Sequence, residues 1–200
     1  MNKPKLLDLF SGPGGAAKGY IDAGFDVTGV DIKKYSRYPA PFIIQNALSV
    51  LRMPLFLKQF DFIHASPPCQ EFSKLKFFSS HQHFSDINYL RCLLIQSGLP
   101  WVIENVPGAP LINPLILCGS MFSLPGLIRH RHFEFSCAAP LPPATCNHPS
   151  VVVGCYGSSV NAKAGRAALG WSDINQRHIA LALPPAYTHF IGSYVLNHIL

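Results

Sequence analysis

Lys5-Leu-Leu-Asp-Leu-Phe-Ser-Gly-Pro-Gly-Gly15 begins as an apolar run, Lys5 to Phe10, and closes in glycines ahead of Ala16 to Ala23, a small-residue segment stopped by Gly24. That is a strand, a tight glycine turn and a helix. Outward from it the pattern repeats. Phe25 to Ile32 reads as a second strand ending in an acid, Phe42 to Asn46 as a third and Phe60 to Ala65 as a fourth, all with the unbroken apolar character of strands buried on both faces. Between Ser85 and Ser97 the spacing of Ile87, Leu90, Leu93 and Leu94 predicts a helix, and Trp101 to Val106 a fifth strand. Strands alternating with helices predict an α/β fold with a doubly wound, mostly parallel sheet.

Beyond Pro107 the order changes. Leu115 to Phe122 and Arg131 to Phe135 read as a further pair of strands, Ala138 to Gly157 as a Pro-, Cys- and Gly-rich loop, and Tyr187 to Leu200 as a final helix anchored by Phe190, Tyr194, Leu196 and Ile199. The 200 residues suit one domain with a real core. Apolar residues are 48% and charged residues 13%, which excludes a disordered chain. Sixteen Lys+Arg against ten Asp+Glu give +6, a balance that favours an anionic partner such as nucleic acid. No run of 18 apolar residues occurs, so no membrane span is expected. Cysteines 69, 92, 118, 137, 146 and 155 are irregularly spaced and no secretory leader is apparent, so reduced thiols in a cytoplasm are expected.

Three places carry chemistry. In Leu9 to Gly15 the glycines let the backbone turn sharply and approach a ligand at the helix N-terminus. No Gly-Lys-Ser/Thr follows, and Phe10 and Pro13 offer apolar walls, so a nucleoside-type ligand fits better than a phosphate loop. Asp31, at the end of the next strand, can bind ribose hydroxyls; the bland alternative is a tight turn and a surface acid. In Ala65-Ser66-Pro67-Pro68-Cys69-Gln70-Glu71-Phe72-Ser73 two prolines stiffen a turn that presents Cys69 at the sheet's carboxyl edge, where a nucleophilic thiol would be accessible. Cys92 and Cys118 read instead as small buried hydrophobes. In Val102-Ile103-Glu104-Asn105-Val106 a carboxylate ends a strand on the same side, where burial would let it hold a proton at neutral pH.

In this order, the glycine loop, Asp31, Pro-Pro-Cys-Gln and Glu-Asn-Val resemble the DNA cytosine-5 methyltransferase family, whose blocks read Asp-x-Phe-x-Gly-x-Gly-Gly, Pro-Cys-Gln, Glu-Asn-Val and Gln-x-Arg-x-Arg. The likeness runs from residue 5 to 135 and returns near Gln176 to Leu200. It implies a Rossmann-like, class I S-adenosylmethionine-dependent methyltransferase: a single catalytic domain over 1–200 with a small irregular insert, a reduced target-recognition region at about 136–175. It also implies that Asp8, Phe10, Ser11, Gly12, Pro13, Gly14, Gly15, Ala47 and Pro67 line the S-adenosylmethionine pocket. Asp31 would hold the ribose, Ile32 would lie on the adenine, and Asn46, where the family has Asp, would meet the adenine amino group. Cys69 would attack carbon 6 of a flipped cytosine, and Glu104 would serve N3. Arg131 would meet the base O2 and Arg129 would position it, with Leu127 in the place of Gln. Pro68, Gln70, Ser73 and Asn105 would contact the substrate, and Lys74 and Lys76, beside Phe77 and Phe78, would touch the DNA strand.

Those residue types suit the reaction. Carbon 5 of cytosine is a poor nucleophile, and a thiolate added at carbon 6, with a proton donor at N3, makes it reactive. The base must leave the duplex first. Amine-directed methyltransferases carry an aromatic residue after their Pro-Pro, where this chain has Cys69, which favours carbon methylation. Only the segment from Phe135 to Gln176 stands where the family has its recognition region, so a short or relaxed sequence preference is expected, with Lys163 and Arg166 on phosphates. Leu183-Pro184-Pro185-Ala-Tyr187 resembles a C-terminal family block with Ala180 and Leu181 in its Gly-Asn places, and Gly192 and Ser193 could serve instead.

Cys137, Cys146, His148 and Cys155 suggest zinc, but their spacings match no usual ligand pairs and no metal is expected. His81, His83, His130 and His132 read as surface or phosphate-side groups. The expected protein is a monomeric, phage-type DNA methyltransferase whose modification could shield a genome from restriction. RNA cytosine as substrate, and a catalytically weak protein that only binds cofactor or DNA, are the alternatives.

Overall fold

β1 (Lys5–Leu9) is buried at every residue but Lys5 and lies inside a seven-stranded sheet. The computed structural model describes residues 2–35, 37–69, 86–148, 152–155 and 161–200. On one side of β1 run β2 (Asp26–Asp31) and β3 (Phe42–Ile44), and on the other β4 (Phe62–Ala65) and β5 (Trp101–Asn105), all parallel. β7 (Arg131–Phe135) lies antiparallel against β5, and β6 (Leu115–Leu117) antiparallel against β7, giving the order β3-β2-β1-β4-β5-β7-β6. The chain builds outward from β1 to β3 and then returns to the far side of β1, so the strand order reverses between β1 and β4. Open α/β sheets bind ligands at such a switch point, above the strands' carboxyl ends.

Alternation along the strands divides the core. Leu7 and Leu9 join Ile63, Ile103 and the α4 (Ile87–Ser97) residues Leu90, Leu93 and Leu94 on one face. Leu6, Phe62 and Val102 pack on the other face with Tyr20 of α1 (Gly15–Ala23) and Tyr187, Ile191 and Val195 of α6 (Pro185–His198). α1 approaches α6 closely because its contact face is small. A Cβ added at Gly19 would lie 2.1 Å from Pro185 O, and Thr188 Oγ1 donates to Ala16 O at 2.9 Å. A third, smaller cluster joins Leu127, Cys155, Trp171, Ile174 and Ile179 with Ala168 and Leu169 of α5 (Ala162–Leu169).

The departures from the sequence reading are local. The expected strand Leu115 to Phe122 stops at Leu117, and Gly119–Phe122 forms a 3-10 turn. A Cβ at Gly119 would meet Leu127 O at 2.4 Å, so the chain turns there against a neighbouring segment rather than pairing. Two short helices, α2 (Ala47–Val50) and α3 (Pro54–Leu57), follow β3; Asn46 Oδ1 caps the first by accepting from Leu48 N and Ser49 N. The last helix starts earlier than Tyr187, because Pro185 sits at its first turn, where its missing N–H costs nothing. Cys118 is buried, but Cys92 is exposed on the outer side of α4, between the core positions Leu90 and Leu93. Among the described residues no helix is long and apolar enough to cross a membrane.

Candidate active site

On leaving β1 the backbone enters the left-handed region at Phe10 (φ 55°), Gly12 (φ 51°) and Gly14 (φ 94°). Glycine takes that conformation freely; Phe10 takes it against a steric cost, held by the loop around it. Ser11 N donates to Val30 O at 3.2 Å, and Gly12 N donates to Asp31 Oδ2 at 2.9 Å. The second Asp31 oxygen accepts from Lys33 N at 3.0 Å. One carboxylate thus ties the β1 and β2 loops together and keeps further lone pairs toward the cavity that it lines.

That cavity, about 450 Å³, covers the carboxyl ends of β1, β2, β4 and β5. Its volume lies in the range of small-molecule sites. The glycine loop contributes Phe10, Ser11, Gly12, Pro13 and Gly15, and the β2 and α2 ends contribute Asp31, Ile32, Asn46 and Ala47. Among the described residues, beyond its own chain neighbours, a Cβ at Gly12 would meet nothing within 4 Å, so that side of the loop is open to the cavity. Ile32 and Leu181 are 74% and 62% exposed, large apolar side chains kept at the rim rather than in the core.

The other half of the cavity holds Pro67, Pro68, Cys69, Glu104 and Arg131. Asn105 Nδ2 donates to Pro67 O at 3.0 Å and Asn105 Oδ1 accepts from Val106 N at 2.9 Å, so the end of β5 holds the proline turn that presents half-buried Cys69. In the β5–β7 ladder Glu104 faces Phe133, which puts Arg131 on the diagonal of the same face. Arg131 Nε lies 3.0 Å from Glu104 Oε1. Burial pushes the Glu104 carboxyl up, against Arg131, a Ser66 hydrogen bond and Arg129, which pull it down. Burial and then the Glu104 charge push the Cys69 thiol up, again opposed by Arg131 and Arg129. Protonation of Glu104 removes the second of the two causes that push the thiol up and leaves burial opposed by the two arginines.

A buried polar chain supports Glu104 from below. Tyr20 OH lies 3.0 Å from His64 Nδ1, His64 Nε2 lies 2.8 Å from Ser66 Oγ, and Ser66 bonds to Glu104. Burial pushes His64 down to about 3, so the ring is neutral and offers one donor and one acceptor nitrogen. Sequence reading passed over His64 as part of a buried strand; a titratable residue inside such a run was the available signal.

Not every expected residue reaches the cavity. Asp8 is fully buried beneath it, accepting from Tyr38 OH at 2.8 Å, with Oδ1 lacking a hydrogen-bond partner among the described residues. Burial pushes Asp8 up to about 7; the Tyr38 bond pulls it down, and the Asp31 and Glu104 charges push it further up. Gly14 faces Tyr38 and Pro39, and Asn105 lies under the proline turn. Arg129 is also behind the wall. Its guanidinium donates to the carbonyls of Ala182, at 2.7 Å, and of Ala180, holding the segment that brings Leu181 and Leu183 to the cavity. Arg166 donates Nε to Ile174 O at 3.0 Å, a structural bond from α5 to the segment that follows it, while Lys163 is exposed. Gly192 packs on Ala23 and Tyr20, and Ser193 Oγ donates to His189 O, so neither reaches the cavity, whereas Leu181 does. Gln70, Ser73, Lys74 and Lys76, with His81 and His83, lie outside the described residues. Tyr35, Leu48, Ser66 and Val106 line the cavity without having been expected, because only folding brings three loop residues and one from α2 together.

Residues 4–109, more than half of the chain, match the model of the C-5 cytosine-specific DNA methylase family. No curated protein matches the chain. Among solved structures it is similar to DNMT2 of Spodoptera frugiperda (21% identity, 80% of this chain and 62% of that one, TM-score 0.50). It is similar also to the Entamoeba histolytica methyltransferase EhMeth (17% identity, 82% of this chain and 62% of that one, TM-score 0.51). A prophage-encoded E. coli protein described as a DNA modification methyltransferase shares 24% identity over 66% of this chain and 45% of its own, with a TM-score of 0.48. The first two likenesses show a shared fold, and the chain spans between 45% and 62% of the length of the three proteins. With its glycine loop, proline-turn cysteine and strand-end glutamate all inside the matched segment, the chain belongs to the C-5 cytosine-specific DNA methylase family.

Proposed function

We propose that the protein transfers a methyl group from S-adenosylmethionine to carbon 5 of cytosine in DNA through a covalent adduct with Cys69. The observation that carries this reading is that Cys69, Glu104 and Arg131 line the same cavity as the glycine loop and Asp31. The cavity suits the cofactor chemically. Asp8, Asp31 and Glu104 stand close enough for the charges of the other two to raise Asp8, an acidic environment that a cationic ligand would relieve. Asp31 would accept from ribose hydroxyls, Ile32 would cover the adenine, and Asn46 stands beside it. Bound there, the cofactor supplies an electrophilic methyl on a sulfonium.

The chain's own groups do the rest. Protonated Glu104 donates to N3 of an extruded cytosine, and Arg131 keeps that carboxyl oriented and meets O2. Cys69, its proton passed to solvent, adds to carbon 6 as the thiolate, which moves electron density onto carbon 5. After methylation the carbon 5 proton goes to water and the thiolate departs. Asn105, Arg129 and Ser66 act by position: they fix the cysteine turn, the Leu181 segment and the Glu104 carboxyl.

Between β7 and α6 the described residues contain α5 and a 3-10 turn at Gln176–His178 but no strand. So small a module supports few base-edge contacts and a short or relaxed sequence preference. Incubation with labelled S-adenosylmethionine and mixed-sequence DNA, followed by bisulfite sequencing, is expected to show methylcytosine at many short sites. A parallel RNA arm is expected to take up far less label. Label confined to RNA, or to amino groups, would refute the proposal.

A further inference from the structure

Where β6 ends and β7 begins, four soft donors converge. Cys118 directly follows β6 and His130 directly precedes β7. Cys146 and His148 come from the stretch after β7, which has no helix or strand from residue 136 to 148. One donor atom from each of the four lies within 4.8 Å of all the others. Cys146 Sγ is 3.0 Å from His148 Nε2 and 3.4 Å from His130 Nε2, and Cys118 Sγ is 3.8 Å from His148 Nε2. Tetrahedral zinc, with Zn–S about 2.3 Å and Zn–N about 2.0 Å, sets ligand separations of roughly 3.3–3.8 Å. The two imidazole planes stand 70° apart with centroids 5.0 Å apart, so their nitrogens converge without stacking.

We propose that Cys118, His130, Cys146 and His148 bind one zinc ion as a closed structural site. Two thiols and two imidazoles form a donor set that zinc takes, whereas magnesium and calcium require oxygen. On binding, both thiols give up their protons to solvent, and the two thiolates balance the charge of the ion. Four protein donors leave no open position, which makes the ion structural rather than catalytic. Ser120 supports the cluster from outside, its Oγ lying 3.6 Å from Cys146 Sγ and accepting from Asn147 N at 3.3 Å.

The ion explains how residues 136–148 are held, since most of them are exposed and little apolar area anchors them. It also fixes the start of β7. Arg131 Nη1 donates to His130 O at 2.8 Å, so the ligand His130 adjoins the arginine that pairs with Glu104. The spacing Cys118-x11-His130-x15-Cys146-x-His148 has no recognisable pair of the usual kind, which is why the sequence pointed to Cys137 and Cys155 instead. Cys137 lies outside the cluster and Cys155 is buried in the third apolar cluster.

The test is elemental analysis of reduced protein, purified without a metal-affinity tag and dialysed against metal-free buffer. About one zinc per chain is expected, retained in Cys137→Ser and reduced at least about tenfold in the Cys146→Ser, His148→Ala double variant. Cobalt(II) in place of zinc is expected to give intense tetrahedral bands with thiolate charge transfer. Should the double variant fail to fold, His148→Cys is expected to keep the metal and add a third thiolate to the cobalt spectrum. Less than about a tenth of an equivalent after reconstitution with zinc, undiminished zinc in a folded double variant, or a cobalt spectrum lacking thiolate charge transfer would overturn the proposal.

Discussion

Arg131 Nε sits 3.0 Å from Glu104 Oε1, which places one guanidinium beside a carboxyl and a thiol that burial drives toward their neutral forms. The arginine opposes both shifts. Replacing it by Ala raises both groups further and removes the restraint on Glu104. The rate of a single methyl-transfer turnover is expected to fall about 10²–10³-fold, the scale of losing one preorganised electrostatic contact. Lys should restore only part of it, because an ammonium lacks the planar fork. Rapid-quench measurement on a cytosine-containing duplex decides this; a variant within twofold of the wild type would disconnect Arg131 from the chemistry.

The proposed reaction needs Glu104 protonated and Cys69 ionised at once, so the wild-type rate should be bell-shaped in pH. Gln at position 104 cannot titrate or pass a proton. Its profile is expected to lose the alkaline decline, rising to a plateau as Cys69 ionises, at a rate about 10²–10⁴-fold lower. A bell that persists in Glu104→Gln would assign the falling limb to another group.

Asp8 contributes a stability slope of definite sign. Its carboxyl titrates near 7 when folded and near 3.8 otherwise, so over that interval the folded state holds the extra proton. The fold is therefore favoured by this group below the unfolded value and loses that benefit as pH rises toward 7. Between pH 5 and pH 8 the loss is about 2–3 kcal/mol. Asp8→Asn should remove it. Urea unfolding of both proteins at the two pH values gives the comparison, and equal pH dependence would place the Asp8 carboxyl near its ordinary value.

Asp31 and Asn105 should separate binding from presentation. Asp31→Ala removes the acceptor for Gly12 N and Lys33 N as well as the proposed acceptor for a ribose, and should weaken S-adenosylhomocysteine binding about 10–100-fold by calorimetry. Asn105→Ala frees the Pro67 turn, and should lower the turnover rate while leaving that Kd within about threefold. Interchanged effects would reverse the two roles.

The central sheet was legible because β1, β2, β4 and β5 are apolar on both faces and end in glycine, acid or proline signals, so local chemistry and the final fold agree. The cavity was legible where its residues follow those strand ends. What local pattern could not show is which side chains point away. Asp8 alternates to the face of Tyr20 and His64, and Arg129 lies two residues before β7, close enough to the 180–182 carbonyls to be committed to them. Leu127, in the place of the family's glutamine, is buried in the third cluster. Of the proposed quartet, the sequence singled out Cys146 and His148 but not Cys118 and His130, because the β6–β7 hairpin brings those two to residues that follow it, a contact no spacing rule encodes.

The most direct measurement is trapping on duplex DNA carrying 5-fluorocytosine, whose fluorine blocks release after methylation. With S-adenosylmethionine, the wild-type chain is expected to form a complex that survives denaturing electrophoresis, with peptide mapping placing the base on Cys69, and Cys69→Ala is expected to form none. A complex of equal yield in folded Cys69→Ala, or none in wild-type protein that methylates ordinary cytosine, would contradict the covalent role of Cys69.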